Sequence, residues 1–245
     1  MPLRIFFYVL FLVCLSTQAY AETVEAITAA MDAADSPAQV AKQAAALEAM
    51  TRSKNAPRAA FTQLARADYL IGEDIKDKKT KLSWMDKAIK AADTALAASP
   101  GDITALYWRS MACLQKADVV GSLSALGLVK QALKDLDTVS SRDACYDSAG
   151  AYRTRGKVLM EAPSWAFIGD KKKGVMLIEK AKAIAPGCLL NRLYLAQAYR
   201  VTGRPEDARA EIRYIISAPA DKVKPTDDMK VKDEAARLLK DMGGF

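Results

Sequence analysis

The chain has 245 residues, a formal net charge of +7 and no histidine. Without an imidazole there is no Ser-His-Asp triad, no Cys-His nucleophile pair and no histidine zinc site, which excludes much hydrolytic and metal-assisted chemistry. The charge excess is modest and spread out, with local peaks at Lys76–Lys81 and Lys171–Lys173, a pattern of solvated helix faces rather than of a nucleic-acid surface.

The first 21 residues read as a secretory signal. Arg4 supplies the positive end, Ile5–Leu15 is an apolar run, and Ala19-Tyr20-Ala21 fits the small-x-small cleavage rule, so the mature chain is expected to begin at Glu22. The run is too short to span a bilayer as a helix, which takes about 20 residues, and Val13 before Cys14 disfavours lipidation. Residues 22–245 are expected to form one helical-repeat domain with no membrane-spanning segment. In an oxidising compartment Cys113, Cys145 and Cys188 allow one disulfide. Cys145 with Cys188 is the first pairing to consider, because both lie near starts of candidate helices; three small buried thiols are the alternative.

Nearly every later segment reads as helix. Ser36 caps and Pro37 opens a helix to about Arg52. A second begins near Pro57 and carries Phe61, Leu64, Ala65 and Leu70. Leu82, Met85, Ala88, Ile89, Ala92, Ala95 and Leu96 recur at steps of three and four, the helical period, until Pro100. Asp102 caps the next helix, through Leu106, Tyr107, Met111 and Leu114. Gly121-Ser122 starts another, through Leu126, Val129, Leu133 and Leu136, and Arg142 to Met160 forms the one after. The period breaks from Ala162 to Gly169 in a loop holding Trp165, Phe167 and Ile168, then resumes with Val175, Ile178, Ala181 and Ala185. Leu190, Tyr194 and Ala198 mark one member of a hairpin and Ala208, Ile212, Ile215 and Ile216 the other, joined by Gly203-Arg204-Pro205. A last helix follows Pro225, capped by Thr226 or Asp227, with Val231, Ala235, Leu238 and Leu239 as its stripe; it would cover the open end of a stack. No segment alternates like a strand. About eleven helices and no sheet are expected, and residues 22–55 could either join the stack or drape across it.

Three stop signals echo one another: Ala97-Ala98-Ser99-Pro100-Gly101-Asp102, Ala183-Ile184-Ala185-Pro186-Gly187-Cys188 and Ile216-Ser217-Ala218-Pro219-Ala220-Asp221. Pro186 and Pro219 are 33 residues apart, about one tetratricopeptide unit. Tyr152-Arg153-Thr154-Arg155-Gly156 matches Tyr199-Arg200-Val201-Thr202-Gly203, each glycine suiting a helix end through positive φ. Those glycines are 47 residues apart, so the Trp165 loop is an insertion. The fold class expected is all-α, an irregular tetratricopeptide-like α-solenoid of stacked helix hairpins with a C-terminal capping helix.

Ala105-Leu106-Tyr107-Trp108, Ala162-Pro163, Gly169-Asp170-Lys171-Lys172-Lys173-Gly174, Ile178-Glu179-Lys180-Ala181, Ala185-Pro186 and Asn191-Arg192-Leu193-Tyr194-Leu195-Ala196-Gln197-Ala198-Tyr199 resemble the periplasmic tetratricopeptide proteins associated with TRAP transporters, the T components. The likeness runs over roughly residues 100–240. It implies an all-helical, non-enzymatic periplasmic adaptor that docks an extracytoplasmic solute-binding protein, with homo-oligomer formation possible and no cofactor. A scaffold for envelope or outer-membrane assembly, and a carrier holding an apolar small molecule in a helical cavity, stay open beside it.

Candidate binding residues follow from the helix faces. Tyr107, Trp108 and Arg109 place aromatics beside a guanidinium, a common hot-spot composition, although neighbouring rings point about 100° apart and one would pack inside. Trp165 and Phe167 either present an apolar patch or plug the array. Asp170 caps a helix whose first turn carries Lys171, Lys172 and Lys173 against the dipole, an anion contact or a tolerated solvated end. Asn191, Arg192 and Tyr194 lie on a first-of-pair helix expected to line the recognition trough, with Asn191 and Tyr194 sharing a face; interhelix packing is the alternative. The carboxylates show no catalytic spacing, and no phosphate loop or metal cluster is present in the sequence.

Overall fold

Helix boundaries fall where the capping chemistry places them. A computed structural model describes residues 23–34, 36–162, 168–221 and 225–243. The signal segment and the Trp165–Phe167 loop lie outside these. Helix α1 covers 23–32. In α2 (Pro37–Thr51) the Ser36 side chain accepts from the Gln39 amide. Helix α3 (Arg58–Gly72) follows Pro57. Asp77 caps α4 (Lys78–Ala98) by accepting from Thr80 N at 2.8 Å, and Asp102 caps α5 (Ile103–Val120) by accepting from Ala105 N at 3.1 Å. Helices α6 (Ser122–Arg142) and α7 (Tyr146–Glu161) follow. In α8 (Lys171–Ile184) Asp170 accepts from Lys173 N at 2.9 Å, so the cap holds despite three cations in the first turn. Then come α9 (Leu189–Val201), α10 (Pro205–Ser217) and α11 (Pro225–Asp241). Helix α11 opens on Pro225 itself. Thr226 and Asp227 therefore sit in its first turn and not at its cap, and Asp227 with Asp228 meets the positive end of the dipole. No strand occurs among the described residues.

Packing separates the chain into two compact units, one up to Ala132 and one from Leu133. In the first unit α2 packs on α3, α3 on α4 and α4 on α5, and α3 also reaches α5. Residues 23–51 join this stack: Val24, Ile27 and Met31 of α1 share one core with Val40, Ala44 and Leu47 of α2, Ala60 and Leu64 of α3, and Ala91 and Ala92 of α4. In the second unit α7 through α11 pack in succession, and α9 also touches both α7 and α11. Ile178, Leu193, Leu195, Ile212, Ile215, Leu238 and Leu239 form its centre. In the first unit α3 meets α5 and in the second α9 meets α7 and α11, so within each unit these odd-numbered helices form one layer.

The two matched glycines prove to have different reasons. Gly203 closes α9 at φ 78°, as the turn requires. Gly156 lies inside α7, where the crossing with α8 leaves no room: a Cβ there would come within 2.5 Å of Ile178 Cγ1 and 2.8 Å of Gly174 O. Gly174 answers it from α8, its own Cβ position lying 2.9 Å from Gly156 O. Gly156→Ala should therefore cost about 1–3 kcal/mol by overpacking, while Gly187→Ala, with nothing within 4 Å, should be near neutral. Thermal or urea denaturation of the two variants checks the contrast.

Candidate functional site

The second unit places Asn191 without exposed surface. Its Nδ2 donates to Ser148 O at 2.9 Å and Ala181 O at 3.1 Å, and its Oδ1 accepts from Arg153 Nη1 at 2.9 Å. Arg153 also donates to the Asp147 carboxylate at 2.7 Å. These contacts hold an unusual start to α7: Asp147, Ser148 and Ala149 have φ of 49°, 53° and 64°. Left-handed backbone at non-glycine residues costs roughly 1–2 kcal/mol each, and the Arg153–Asn191 pair offsets it. Asn191 thus ties α9 to the start of α7 and to α8, and does not share a ligand-facing surface with Tyr194. Cys113, Cys145 and Cys188 carry free thiols in the structure, and Asn191 joins the starts of α7 and α9 through its hydrogen bond to Ser148 O.

Arg192 is also committed to packing. Its guanidinium lies 3.5 Å from the centre of the Tyr214 ring, donates to Glu211 Oε2 at 2.8 Å and to Pro186 O at 3.0 Å. Glu211, itself buried, takes Lys182 on its other oxygen. One buried carboxylate thereby receives two cations and links α8, α9 and α10. Behind them Tyr199 donates to Glu179 at 2.8 Å, and burial, with that carboxylate, pushes its phenol up to about 12.

Tyr194 is placed differently. Residues 190, 194, 197 and 201 form a stripe of α9 that is partly exposed at the first three and exposed at the last. The Lys157 ammonium of α7 sits 4.8 Å from the centre of the half-buried Tyr194 ring. Burial of Lys157 pulls its pKa down, but Tyr194 and Glu161 more than compensate, so it stays raised and cationic. Gln197 donates to Glu234 of α11 at 2.8 Å. Lys157, Tyr194, Gln197 and Glu234 thus run across the odd-helix face of this unit.

The first unit sorts Tyr107, Trp108 and Arg109 into three roles. Tyr107 is 1 % exposed and packs inside. Arg109 donates to Asp93 at 2.7 Å, joining α5 to α4. Trp108 is half-buried, 5.4 Å from the Tyr69 ring and 5.2 Å from the Tyr107 ring, with the Arg66 guanidinium 5.6 Å from its own ring centre. Arg66 donates to Asp32 at 2.6 Å, and Gln63 lies one turn before it on α3. Sequence reading passed over Gln63, Arg66 and Lys157, since polar residues on such helices look merely solvated. The available signal was their spacing on odd-numbered helices opposite the apolar stripe.

Asp68 faces the other way on α3, toward Glu48 of α2 and Lys87 of α4. It is 2 % exposed and its Oδ1 has no hydrogen-bond partner among the described residues. Burial pushes its carboxyl up to about 7; Lys87 pulls it down and Glu48 pushes it further up. No group of residues able to hold a metal ion occurs among the described residues, and none of their helices is long and apolar enough to cross a membrane. The two odd-helix faces offer aromatic planes, cations and amides, which suit recognition.

Comparison with solved structures places the fold. The chain superposes on TTC0263, a thermophilic TPR protein of Thermus thermophilus, with a TM-score of 0.60 over 82% of this chain and 91% of that one, at 19% identity. MamA matches at a TM-score of 0.31 over 67% of this chain and 98% of that one, also at 19% identity, an overlap that carries no weight. No known sequence family matches the chain. No curated protein matches it either. The fold is all-α, a tetratricopeptide-like solenoid type.

Two measurements test the polar core. Asn191→Leu should cost about 2–4 kcal/mol, since Arg153 and two carbonyls lose their partner, and hydrogen exchange should quicken at residues 147–149. Asp68 keeps a proton in the folded chain that the unfolded chain releases between 3.8 and about 7. Stability should therefore fall as pH rises through that window. Asp68→Asn should flatten this dependence in thermal melts taken from pH 4 to 8.

Proposed function

We propose that the chain is a non-enzymatic periplasmic adaptor that grips a protein partner on its odd-helix faces. The observation that carries this reading is the Lys157–Tyr194–Gln197–Glu234 stripe across α7, α9 and α11. There a half-buried aromatic is set beside a cation on a tetratricopeptide-like layer. Half-buried aromatics flanked by charge are the usual energetic centres of protein interfaces. The secretory signal read before Glu22 supports the compartment. The likeness of residues 100–240 to TRAP-associated T components supports a solute-binding protein as the partner, in uptake of small organic ligands.

Affinity capture from the periplasm of the native host tests the reading. The tagged protein should recover a solute-binding protein. Tyr194→Ala combined with Lys157→Ala should reduce recovery about tenfold or more, with the helical circular dichroism unchanged. Full recovery by that variant would overturn the assignment of the face. Recovery of outer-membrane assembly factors alone would replace the transport role with the scaffold one.

A further inference from the structure

Helix α8 shows solvent a face of one sign. Its exposed residues are Lys171, Lys172, Lys173, Met176, Lys180 and Ala183. At about 100° per residue the last five fall within one sector, with Met176 between the lysines. Gly174, Val175, Ile178 and Ala181 point the other way, into the core. The one carboxylate of the helix, Glu179, is half-buried and turned aside, accepting from Tyr199 Oη at 2.8 Å and from Arg204 Nη1 at 3.2 Å. Lys171, Lys172 and Lys173 have no carboxylate partner among the described residues. Two features of this face are unfavourable in water. Three cations stand at the positive end of the helix dipole. Met176, at 59 %, is the most exposed of the large apolar side chains among the described residues. The lysines around the start of α4 differ, because that helix exposes Lys78 and Lys79 together with Asp86 and Asp93 and has no large apolar side chain standing out among them.

We propose that this face of α8 rests on an anionic lipid surface, its lysines at the headgroups and Met176 between them. Charge complementarity selects an anion, and the residue types select a lipid. Interfaces between proteins are depleted in lysine and enriched in arginine and aromatic rings. A guanidinium fork pairs a carboxylate in fixed geometry, whereas an ammonium is a point charge. A layer of headgroups presents a smeared negative potential, to which separate point charges add without fixed geometry. The lysine stems reach the headgroups while lying along apolar surface, and the flexible thioether of Met176 enters the boundary beneath. Headgroup phosphates also meet the first-turn cations and relieve their misfit with the dipole. Four lysines and one apolar side chain give reversible adsorption, not anchoring. The inference goes beyond the adaptor reading and does not depend on it, since the Lys157–Tyr194 stripe uses none of these residues.

Vesicle sedimentation tests this with a chain beginning at Glu22, which holds every described helix. Vesicles of equal parts phosphatidylglycerol and phosphatidylcholine should pull the chain down at low salt, and pure phosphatidylcholine should not. Binding should weaken steeply as salt rises. Lys171→Gln, Lys172→Gln and Lys173→Gln together should lower partitioning about 100-fold, each lysine being worth about fivefold. That variant should melt no lower than the native chain, because the dipole misfit is removed with the charges. Met176→Gln should lower partitioning about fourfold, the worth of one CH2 group taken out of water. Lys76→Gln, Lys78→Gln and Lys79→Gln together change the net charge by the same amount and should lower partitioning far less. Equal losses for the two triple variants would make adsorption a property of net charge and overturn the assignment. Undiminished binding by the α8 triple variant, or no binding to the anionic vesicles at low salt, would do the same. Binding to polyglutamate in place of vesicles would overturn the lipid and give the face to an acidic protein.

Discussion

Close helix approach is the constraint on which the rest of the molecule depends. At the α7–α8 crossing Gly156 and Gly174 bring backbone against backbone, and each Cβ position is already taken by the other helix. Elsewhere alanine does the same work: Ala60, Ala65, Ala88, Ala92, Ala105, Ala112, Ala196, Ala208 and Ala235 are all buried. Small side chains let helices settle near the short end of the usual spacing of about 8–10 Å. Larger residues are then driven to the margins of each contact, and aromatic rings such as Trp108 and Tyr194 end half inside and half out. The half-buried aromatic stripes arise from the way these hairpins must pack.

The second unit adds a polar frame to that packing. Asn191 joins three helices through an uncharged amide, and Glu211 joins three through ion pairs, so α7 to α10 are fixed by directional contacts as well as by apolar area. Directional contacts specify one arrangement where apolar area alone tolerates several. The left-handed turn from Asp147 to Ala149 is tolerated only inside this frame. Asp68 of the first unit has no hydrogen-bond partner for Oδ1 among the described residues and instead enters the core in neutral form below about pH 7.

Much was legible beforehand because caps and periodicity are local. Ser36, Asp102 and Asp170 announce helix starts by their own side-chain chemistry, and the stripe from Leu82 to Leu96 needs no partner to be read. The site was less legible because it depends on which face each helix leaves open. Tyr107 and Trp108 are adjacent letters, yet only packing decides that the first is engulfed and the second sits at an edge. Asn191 and Tyr194 are three residues apart, yet the angle of about 60° between them separates a core cross-link from a surface ring. Gln63 and Arg66 are easily overlooked because polarity on a helix ordinarily means contact with water.

The sequence by itself determined an all-helical chain of hairpins, the positions of its turns and the absence of imidazole chemistry, since these follow from backbone propensity and residue inventory. Only the tertiary structure decided which polar residues are used up by the fold and which remain for recognition. Burial is a property of neighbours distant in the chain: Arg192 is claimed by Glu211 and Tyr214, Arg66 by Asp32, and Asn191 by a strained turn 43 residues away. No local pattern encodes those distances, so the division of labour among similar residues appears only once the helices have met.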